Sequence, residues 1–367
     1  MVTQRLLIVA ASALIVLTAA CSAGAPARPS AAPAANRANA VVKHRHPVAA
    51  SSDITLAFAG DVHFAGRVER LLKDPASTFG PISSVLKSAN FTAVNLETPV
   101  TSRGQPQPKT YHFATTPGAF TALRDAGVDL VTMANNHILD YGQTGLADTL
   151  AAAKAAHFPY VGAGVNAAAA WAPYVTTIND TKIAILGVSQ VAELASSWVA
   201  TADRPGEANA INLGQTLAAV RAAKRLARIV IVFMHWGTEG TACPDQNQLS
   251  LAPKLAAAGA SIIIGAHAHM LQGSGWLGHT FVAFGMGNFL WWENSYSTAT
   301  GVLKVTVHPH APLTARFIPA VVSGTGQPTV DQGAAARRAL AHYASLRACA
   351  GLSASPPGGA ITPTSAG

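Results

Sequence analysis

The sequence lacks a basic stripe interleaved with aromatic residues, and it lacks an internal repeat. Its 25 lysine and arginine residues are scattered, so nothing in the chain indicates a nucleic-acid-binding protein. No period of the length used by repeat proteins is present. Half of the 367 residues are hydrophobic, which excludes a disordered chain and allows one large globular domain, or at most two.

Acidic residues are absent from the first 50 positions. The basic residues there are Arg5, Arg28, Arg37, Lys43 and Arg45, so only +3 of the net charge of +8 lies after residue 50. The positive charge therefore belongs largely to the N-terminal segment, where it favours an anionic membrane surface.

Residues 1–20 have the pattern of an export signal. One positive charge at Arg5 precedes a short apolar run and small residues before Cys21, and the run is too short and too weakly flanked to favour a permanent membrane span. The segment "LTAAC" resembles a bacterial lipoprotein signal, which implies lipidation of Cys21; ordinary cleavage nearby is the alternative. We therefore expect a membrane-anchored lipoprotein facing outwards, or a secreted protein.

Two further segments are predicted to stay outside the folded domain. Residues 21–52 are rich in Ala, Pro and Ser without a regular apolar period, which predicts an extended stalk in which His44 and His46 are inert. Residues 351–367 are rich in Gly, Pro, Ser and Ala and are predicted to be disordered. The globular domain is expected over residues 53–350.

Two cysteines remain once Cys21 is assigned to the anchor. In an exported protein a lone pair is most simply a disulfide, so Cys243 and Cys349 are predicted to join the C-terminal helix to the loop after residue 237. Two free thiols are the alternative.

The globular part alternates short apolar runs with alanine-rich helical stretches, as in 144–157 and 214–227. This alternation predicts an α/β fold with buried sheets. The candidate strands are 54–60, 91–97, 129–135, 182–189, 228–236, 261–267, 280–287 and 302–308.

Polar residues recur where these strands end. They are Asp61, His63, Asn95, Glu97, Asn135, Asn136, His137, Asp140, His235, His267 and His269. Taken singly, Asp61 is typical of a helix cap and Asn136 of a turn, and His235 is typical of a hydrogen-bonded core histidine. In open α/β folds, however, ligands gather at the carboxyl ends of the strands. Oxygen and imidazole ligands at five strand ends together favour a metal site.

The motifs "GDVHF", "NLETP", "NNHILDYG", "HWGTE", "GAHAH" and "GNF" occur in this order between residues 53 and 320. They resemble the calcineurin-type metallophosphoesterases and, more narrowly, the CapA family, which is associated with poly-γ-glutamate capsule synthesis. The resemblance implies a four-layer α/β/β/α sandwich with a two-metal centre between the sheets. The sequence departs from the phosphoesterases at Glu97, where they carry a bridging aspartate, and at "NNH", which replaces their "GNH".

The resemblance also implies a set of metal ligands. It assigns Asp61, His63 and His269 to one metal, Asn136, His235 and His267 to the other, and Glu97 to a bridge between them. Ligands of these types suit manganese, iron or zinc. Two such ions share a carboxylate and lower the pKa of a bound water.

Other residues are assigned supporting roles. His137 is the candidate general acid, and Asp140 is expected either to orient its imidazole or simply to cap a helix. Lys109 is a candidate for binding a substrate carboxylate, with a solvated surface lysine as the alternative. Asn288 and Glu239 are candidates for substrate contact or for support of the ligands, and Trp291 and Trp292 for the cleft lining or the core.

Three classes of function remain open. The first is a cell-surface hydrolase or transferase of the CapA type that acts with two metals on a γ-glutamyl polymer or a related envelope amide. The second is a metallophosphoesterase that acts on an exported phosphate ester. The third is a noncatalytic accessory protein that holds an anionic polymer in the same cleft.

Overall fold

The computed structural model describes residues 52–357. The predicted signal, Cys21, the stalk up to residue 51 and residues 358–367 lie outside the described residues. Both histidines of the stalk lie outside them as well.

Strands and helices alternate along the described chain. The strands are β1 (Ile54–Val62), β2 (Phe91–Leu96), β3 (Leu130–Thr132), β4 (Tyr160–Val161), β5 (Ala163–Gly164), β6 (Tyr174–Ile178), β7 (Thr181–Ser189), β8 (Gly206–Glu207), β9 (Ile229–Trp236), β10 (Ile262–His267), β11 (Ser274–Leu277), β12 (Thr280–Ala283), β13 (Asn288–Leu290), β14 (Ala299–Val307), β15 (Thr314–Val322) and β16 (Pro328–Val330). The α-helices are α1 (Ser83–Lys87), α2 (Gly118–Ala126), α3 (Gly142–Ala155), α4 (Ala167–Ala170), α5 (Ala195–Trp198), α6 (Leu213–Leu226), α7 (Gln246–Ala258) and α8 (Gly333–Ser345). Short 3-10 helices lie at Gly66–Lys73, Pro75–Ser77, Gly80–Ile82 and Ala348–Ala350.

Two mixed sheets form the centre of the fold. The first has the strand order β16-β15-β14-β1-β2-β3-β4, and β13 also pairs with β1. Strands β1 to β4 run parallel to one another, whereas β14, β15 and β16 are joined by antiparallel pairing. The second sheet has the order β11-β12-β10-β9-β7-β6, with four parallel central strands and an antiparallel strand at each edge.

Three apolar clusters show how the layers pack. One cluster lies between the first sheet and helices α1, α2 and α3, and another joins the inner faces of the two sheets. A third lies between the second sheet and helices α6 and α7. The order of layers is therefore helix, sheet, sheet, helix, which confirms the predicted four-layer α/β/β/α sandwich.

The predicted strand 280–287 is wrong in its second half. Strand β12 ends at Ala283, and the chain then crosses to the first sheet, where β13 begins at Asn288 and pairs with Asp61. The crossing includes Gly287 in the left-handed region at φ 68°, a conformation that glycine adopts at no steric cost. An apolar run that changes sheets cannot be distinguished in sequence from one continuous strand.

The domain continues into the predicted disordered tail. The backbone of Ser353 exchanges two hydrogen bonds with Trp276, at 2.8 and 2.9 Å, so the chain adds a short pairing to the edge strand β11 after residue 350. No helix among residues 52–357 combines the length and the apolar character needed to cross a membrane.

Cys243 and Cys349 form a disulfide with Cα atoms 5.7 Å apart. It connects the loop after β9 with the 3-10 helix that follows α8, a sequence separation of 106 residues.

Replacing both cysteines with serine should lower the free energy of unfolding by about 2–4 kcal/mol, because the cross-link restricts the unfolded chain. Denaturant unfolding of the variant and of the wild type, each followed by circular dichroism, measures this difference. Equal stability, or free thiols at both positions in the purified wild-type protein by mass spectrometry, would contradict it.

Candidate metal centre

The predicted ligands come from the carboxyl ends of neighbouring strands in the two facing sheets. Asp61 is the last residue but one of β1, and His63 follows that strand directly. Glu97 follows β2, and Asn136 lies in the loop after β3. The histidines of the second sheet lie at or just after the ends of β9 and β10: His235, His267 and His269. Each of the seven side chains belongs to a residue that is no more than 6% exposed.

Glu97 lies between histidines from both sheets. Its Oε2 is 3.5 Å from Nε2 of His63, and its Oε1 is 3.2 Å from Nε2 of His235. Oδ1 of Asn136 is 2.8 Å from the same nitrogen of His235. The carboxylate therefore spans the two predicted metal positions, which is the placement that a bridging ligand requires.

Asp61 organises the other half of the site. Its Oδ2 accepts a hydrogen bond from the backbone N–H of His267 at 3.1 Å and lies 3.3 Å from Nδ1 of His269. Its Oδ1 accepts a hydrogen bond from Nδ2 of Asn95 at 2.8 Å. Asn95 also lies 3.2 Å from Nδ1 of His235, so one amide links ligands from the two sheets.

The backbone of the "GAHAH" segment is strained. His267 and His269 have φ values of 87° and 55°, in a region that residues with a Cβ rarely adopt. Such conformations cost about 1–3 kcal/mol each and persist only where the surroundings impose them. Here they turn both imidazoles towards the carboxylates of the first sheet.

Two groups of potential ligands share one residue. Glu97, His235 and His267 form one group, and Asp61, Glu97 and His269 form the other; within each group the ligand atoms lie within 4.8 Å of one another. Glu97 is common to both, and each group contains two of the three ligands of one predicted set. A further group combines Glu239 with the histidines of "GAHAH".

Unsatisfied buried atoms show that these residues fit metal ions. Both carboxylate oxygens of Glu97 and Nδ1 of His267 are buried without a hydrogen-bond partner. An unsatisfied buried polar group costs about 1–3 kcal/mol. Divalent ions held among these atoms would satisfy them, and the His, Asn and carboxylate donor set suits a first-row transition metal.

The electrostatics of the site support the same interpretation. Burial alone raises the pKa of Glu97, but His235 and the other imidazoles reverse the effect and hold that pKa well below its ordinary value. Burial lowers the pKa of His267 well below its ordinary value and also lowers the pKa of His63. A carboxylate anion and neutral imidazoles are the protonation states that bind metals.

His269 behaves differently from its neighbours. Burial lowers its pKa, but the hydrogen bond and the charge of Asp61, together with the charge of Glu97, raise it to about 9. A metal-free site therefore holds a proton on His269 at neutral pH, and that proton must leave before the imidazole binds a cation.

His137 and Asp140 form a dyad at the edge of the ligand groups. Nδ1 of His137 lies 2.8 Å from Oδ2 of Asp140, and this carboxylate oxygen also accepts the backbone N–H of Phe113 at 2.8 Å. Of the two roles considered for Asp140, the contact matches the orienting one. The contact also leaves Nε2 as the ring nitrogen available to the cleft that His137 lines.

The prediction that Lys109 contacts substrate is not supported, and neither is a solvated surface position. The side chain of Lys109 is 3% exposed, and Nζ lies 3.1 Å from Oδ1 of Asp140 and 3.2 Å from Oε2 of Glu193. It also donates to the backbone carbonyl oxygen of Asn136. Lys109 is therefore a positioning residue that holds the dyad and a ligand loop. The sequence did not predict this position because it depends on tertiary structure: the loop that carries Lys109 folds back onto the strand ends.

The remaining predicted residues divide between the core and the cleft. Asn288 is fully buried beside Asp61 on β13 and does not line the cleft. Glu239 does line it, 3.9 Å from Nε2 of His269. Trp291 and Trp292 line it as well.

Sequence reasoning missed three contributors to the site. Thr98 lies 3.3 Å from Nδ1 of His63 and orients that imidazole; its position next to Glu97 was the available signal. Tyr111 and Tyr296 border the cleft, and no pattern of residues in the chain points to them.

Residues 55–291 match the family model described as "Bacterial capsule synthesis protein PGA_cap", a span that contains every predicted metal ligand. The "Capsule biosynthesis protein CapA" of Bacillus anthracis is 30% identical over 260 residues, 68% of this chain and 62% of that protein. The "PGA biosynthesis protein CapA" of Bacillus subtilis is 30% identical over 242 residues, 65% and 63% of the two chains.

A "Probable polyglutamine synthesis accessory protein" of Mycobacterium tuberculosis is 33% identical over 228 residues, 57% of this chain and 59% of that protein. The chain thus spans about three fifths of the length of the curated relatives it matches.

Metal content tests the ligand groups directly. The purified protein supplied with manganese or zinc should retain about two equivalents of metal by elemental mass spectrometry. The His267→Ala, His269→Ala double variant should lose most of it, because each predicted site loses one ligand. The matched control replaces His279 and His310, which are exposed, and should leave the metal content unchanged. Absence of retained metal in the wild type would refute the interpretation.

Metal binding should release a proton from His269 at neutral pH. Because the pKa of His269 in the metal-free protein is about 9, the apparent metal affinity should rise between pH 6.5 and pH 9, and the rise should flatten above that range. Titration calorimetry in buffers of different ionisation enthalpy counts the released protons. The His269→Gln variant should release about one fewer; equal proton release in the two proteins would contradict the assignment.

Proposed function

The chain belongs to the bacterial capsule synthesis protein family PGA_cap, and we propose that it is a metal-dependent hydrolase or transferase acting on an amide of a cell-envelope polymer. One observation carries the proposal: two buried groups of metal ligands share Glu97. Family membership supports the envelope polymer, and a γ-glutamyl amide is the bond that we propose it processes.

Two bound divalent ions would supply Lewis acidity and an activated water at this site. The protein adds a proton donor, because His137 lines the cleft and is held at Nδ1 by Asp140. That contact directs Nε2 towards a leaving group, the position of a general acid. Lys109 fixes Asp140 from its other oxygen.

We propose further that the protein works outside the cell, anchored through a lipid on Cys21 or secreted. The export pattern of residues 1–20 and the basic residues of the first 50 positions support this location. Its partners would be the membrane surface and an exported polymer, in keeping with the capsule proteins named among its relatives.

A noncatalytic role is the second candidate. The relative from Mycobacterium tuberculosis is described as an accessory protein, and a metal centre can hold a carboxylate of a polymer without cleaving it. A third candidate, phosphoesterase activity, rests on Asp61 and His63, which keep the phosphoesterase pattern.

Replacing His137 with alanine separates the enzymes from the binding protein. The wild type and the variant are assayed with γ-glutamyl peptides and with phosphate esters. If the protein is an enzyme, kcat of the variant should fall about 10²–10⁴-fold for whichever compounds the wild type turns over. Elemental analysis should show the same metal content in both proteins. The control His310→Ala, at an exposed position, should retain full turnover.

The other outcomes are equally informative. Turnover of phosphate esters alone would favour the phosphoesterase. Metal-loaded wild-type protein that retains a γ-glutamyl polymer, turns over neither substrate class and keeps that retention in His137→Ala would establish the binding role instead.

A further inference from the structure

The cleft above the candidate metal centre has an unexpected charge. It is a cavity of about 140 Å³. Among the described residues, the lining of this cavity contains two glutamates, Glu239 and Glu293, and no lysine or arginine. An anionic polymer would meet like charge at this entrance.

Aromatic faces form much of the remaining lining. Tyr111 stacks on Phe113 with ring centroids 6.4 Å apart and an interplanar angle of 3°. Trp292 lies 5.1 Å from Phe113 and 6.2 Å from Tyr111. Tyr111 is 58% exposed and Tyr296 is 57% exposed, so large aromatic surfaces at the cleft are open to a ligand.

Tyr296 is held in place rather than loosely exposed. Its ring stacks on His269 with centroids 5.5 Å apart, and its hydroxyl donates to Oε2 of Glu239 at 2.5 Å. A Cβ on Gly240 would lie 2.9 Å from the ring, so only glycine allows this approach. Tyr296 itself adopts φ 53°, a strained conformation that the packing maintains.

Neither carboxylate forms an ion pair with a lysine or an arginine among the described residues. Arg67 lies nearby, but its guanidinium donates to backbone oxygens of Trp291 and Glu293, at 3.1 and 2.7 Å, and forms no ion pair with the Glu293 carboxylate within the described residues. Oε1 of Glu239 lies 3.9 Å from Nε2 of His269, and its Oε2 accepts the Tyr296 hydroxyl. The imidazole of His269 gives up its proton when it binds a metal. The hydrogen bond from Tyr296 to Glu239, with the charges of both carboxylates, raises the pKa of Tyr296 to about 12. Both negative charges therefore act at the same cleft.

We propose that this cleft binds a primary ammonium group of the substrate. Aromatic faces attract cations through the ring quadrupole, and unpaired carboxylates add charge attraction. The role of the cleft as a substrate subsite rests on the proposed function, because it lies beside the candidate metal centre. The ammonium group belongs either to the substrate chain itself or to a separate amine that binds beside it.

Three small probes of similar size test the charge preference: n-butylammonium, n-butanol and butyrate. Dissociation constants are measured by ligand-observed NMR on the full chain, solubilised in detergent and loaded with zinc. Butylammonium should bind about tenfold more tightly than butanol, in keeping with a cation held by aromatic rings and carboxylates. Equal affinity of butylammonium and butanol, or no detectable binding of butylammonium, would overturn the proposal.

Single substitutions locate the binding site. Glu239→Gln and Glu293→Gln should each weaken butylammonium binding about three- to tenfold, and Tyr296→Leu should weaken it by a similar factor. Glu69→Gln is the matched control, since Glu69 is exposed and lines a different surface groove. Loss of zinc in Glu239→Gln, with unchanged amine binding in all three variants, would place Glu239 in the metal centre and overturn the proposal.

A second pair of probes identifies the source of the ammonium group. If it belongs to the substrate chain, acetylating the amino group of a γ-glutamyl dipeptide should weaken its binding. If it belongs to a separate amine, the acetylated dipeptide and butylammonium should bind together. Either result supports an ammonium site, whereas tighter binding of the acetylated dipeptide with displacement of butylammonium would contradict it.

The ammonium site and the proposed function can fail separately. If the protein binds butylammonium selectively but retains no metal and turns over no substrate, the ammonium site is supported and the proposed enzyme activity is refuted. If the protein shows metal-dependent turnover but no preference for butylammonium, the ammonium site is refuted and the proposed enzyme activity is supported.

Discussion

The buried carboxylate of Glu97 is the constraint on which the rest of the site depends. Its charge is taken out of water, and the imidazoles of His63 and His235 face its two oxygens without hydrogen-bond geometry. Removing a charge from water is costly unless it is compensated by pairing or by a metal. The strained backbone of the "GAHAH" segment and the amide of Asn95 bring further potential ligands around this anion. The residues around Glu97 are therefore suited to binding cations.

The two facing sheets hold the candidate metal centre rigidly. Parallel strands of both sheets end at the same place, and the chain crosses from one sheet to the other through Gly287, which places β13 against Asp61. Asp61, His235 and His267 are thereby held by main-chain pairing within strands, and the other ligands follow the ends of paired strands by a few residues. Mobile segments would lose more conformational entropy on binding a metal. The dyad of His137 and Asp140 lies in a loop and is fixed by side-chain contacts, with Lys109 buried against it.

Membership of the capsule synthesis family, predicted from the motifs, is confirmed. The central strands were predictable because buried parallel strands are continuous apolar runs, and seven candidate ligands were predictable because they follow those runs. Peripheral strands such as β6, at the edge of its sheet, and β15, next to the edge strand β16, were missed, since their exposed faces carry polar residues that break the pattern. The burial of Lys109 and the aromatic cleft were also beyond prediction, because they depend on loops folding back over the strand ends.

The sequence by itself determined the class of fold, most of the central strands and the residue types available as ligands, because apolar periodicity and side-chain chemistry are local properties of the chain. Only the tertiary structure decided which groups meet. It placed Glu97 between two imidazoles, turned Lys109 inwards to Asp140, and gathered Tyr111, Tyr296, Glu239 and Glu293 around one cleft. These residues are far apart in sequence, and their proximity follows from the packing of two sheets and their loops, which no local pattern encodes.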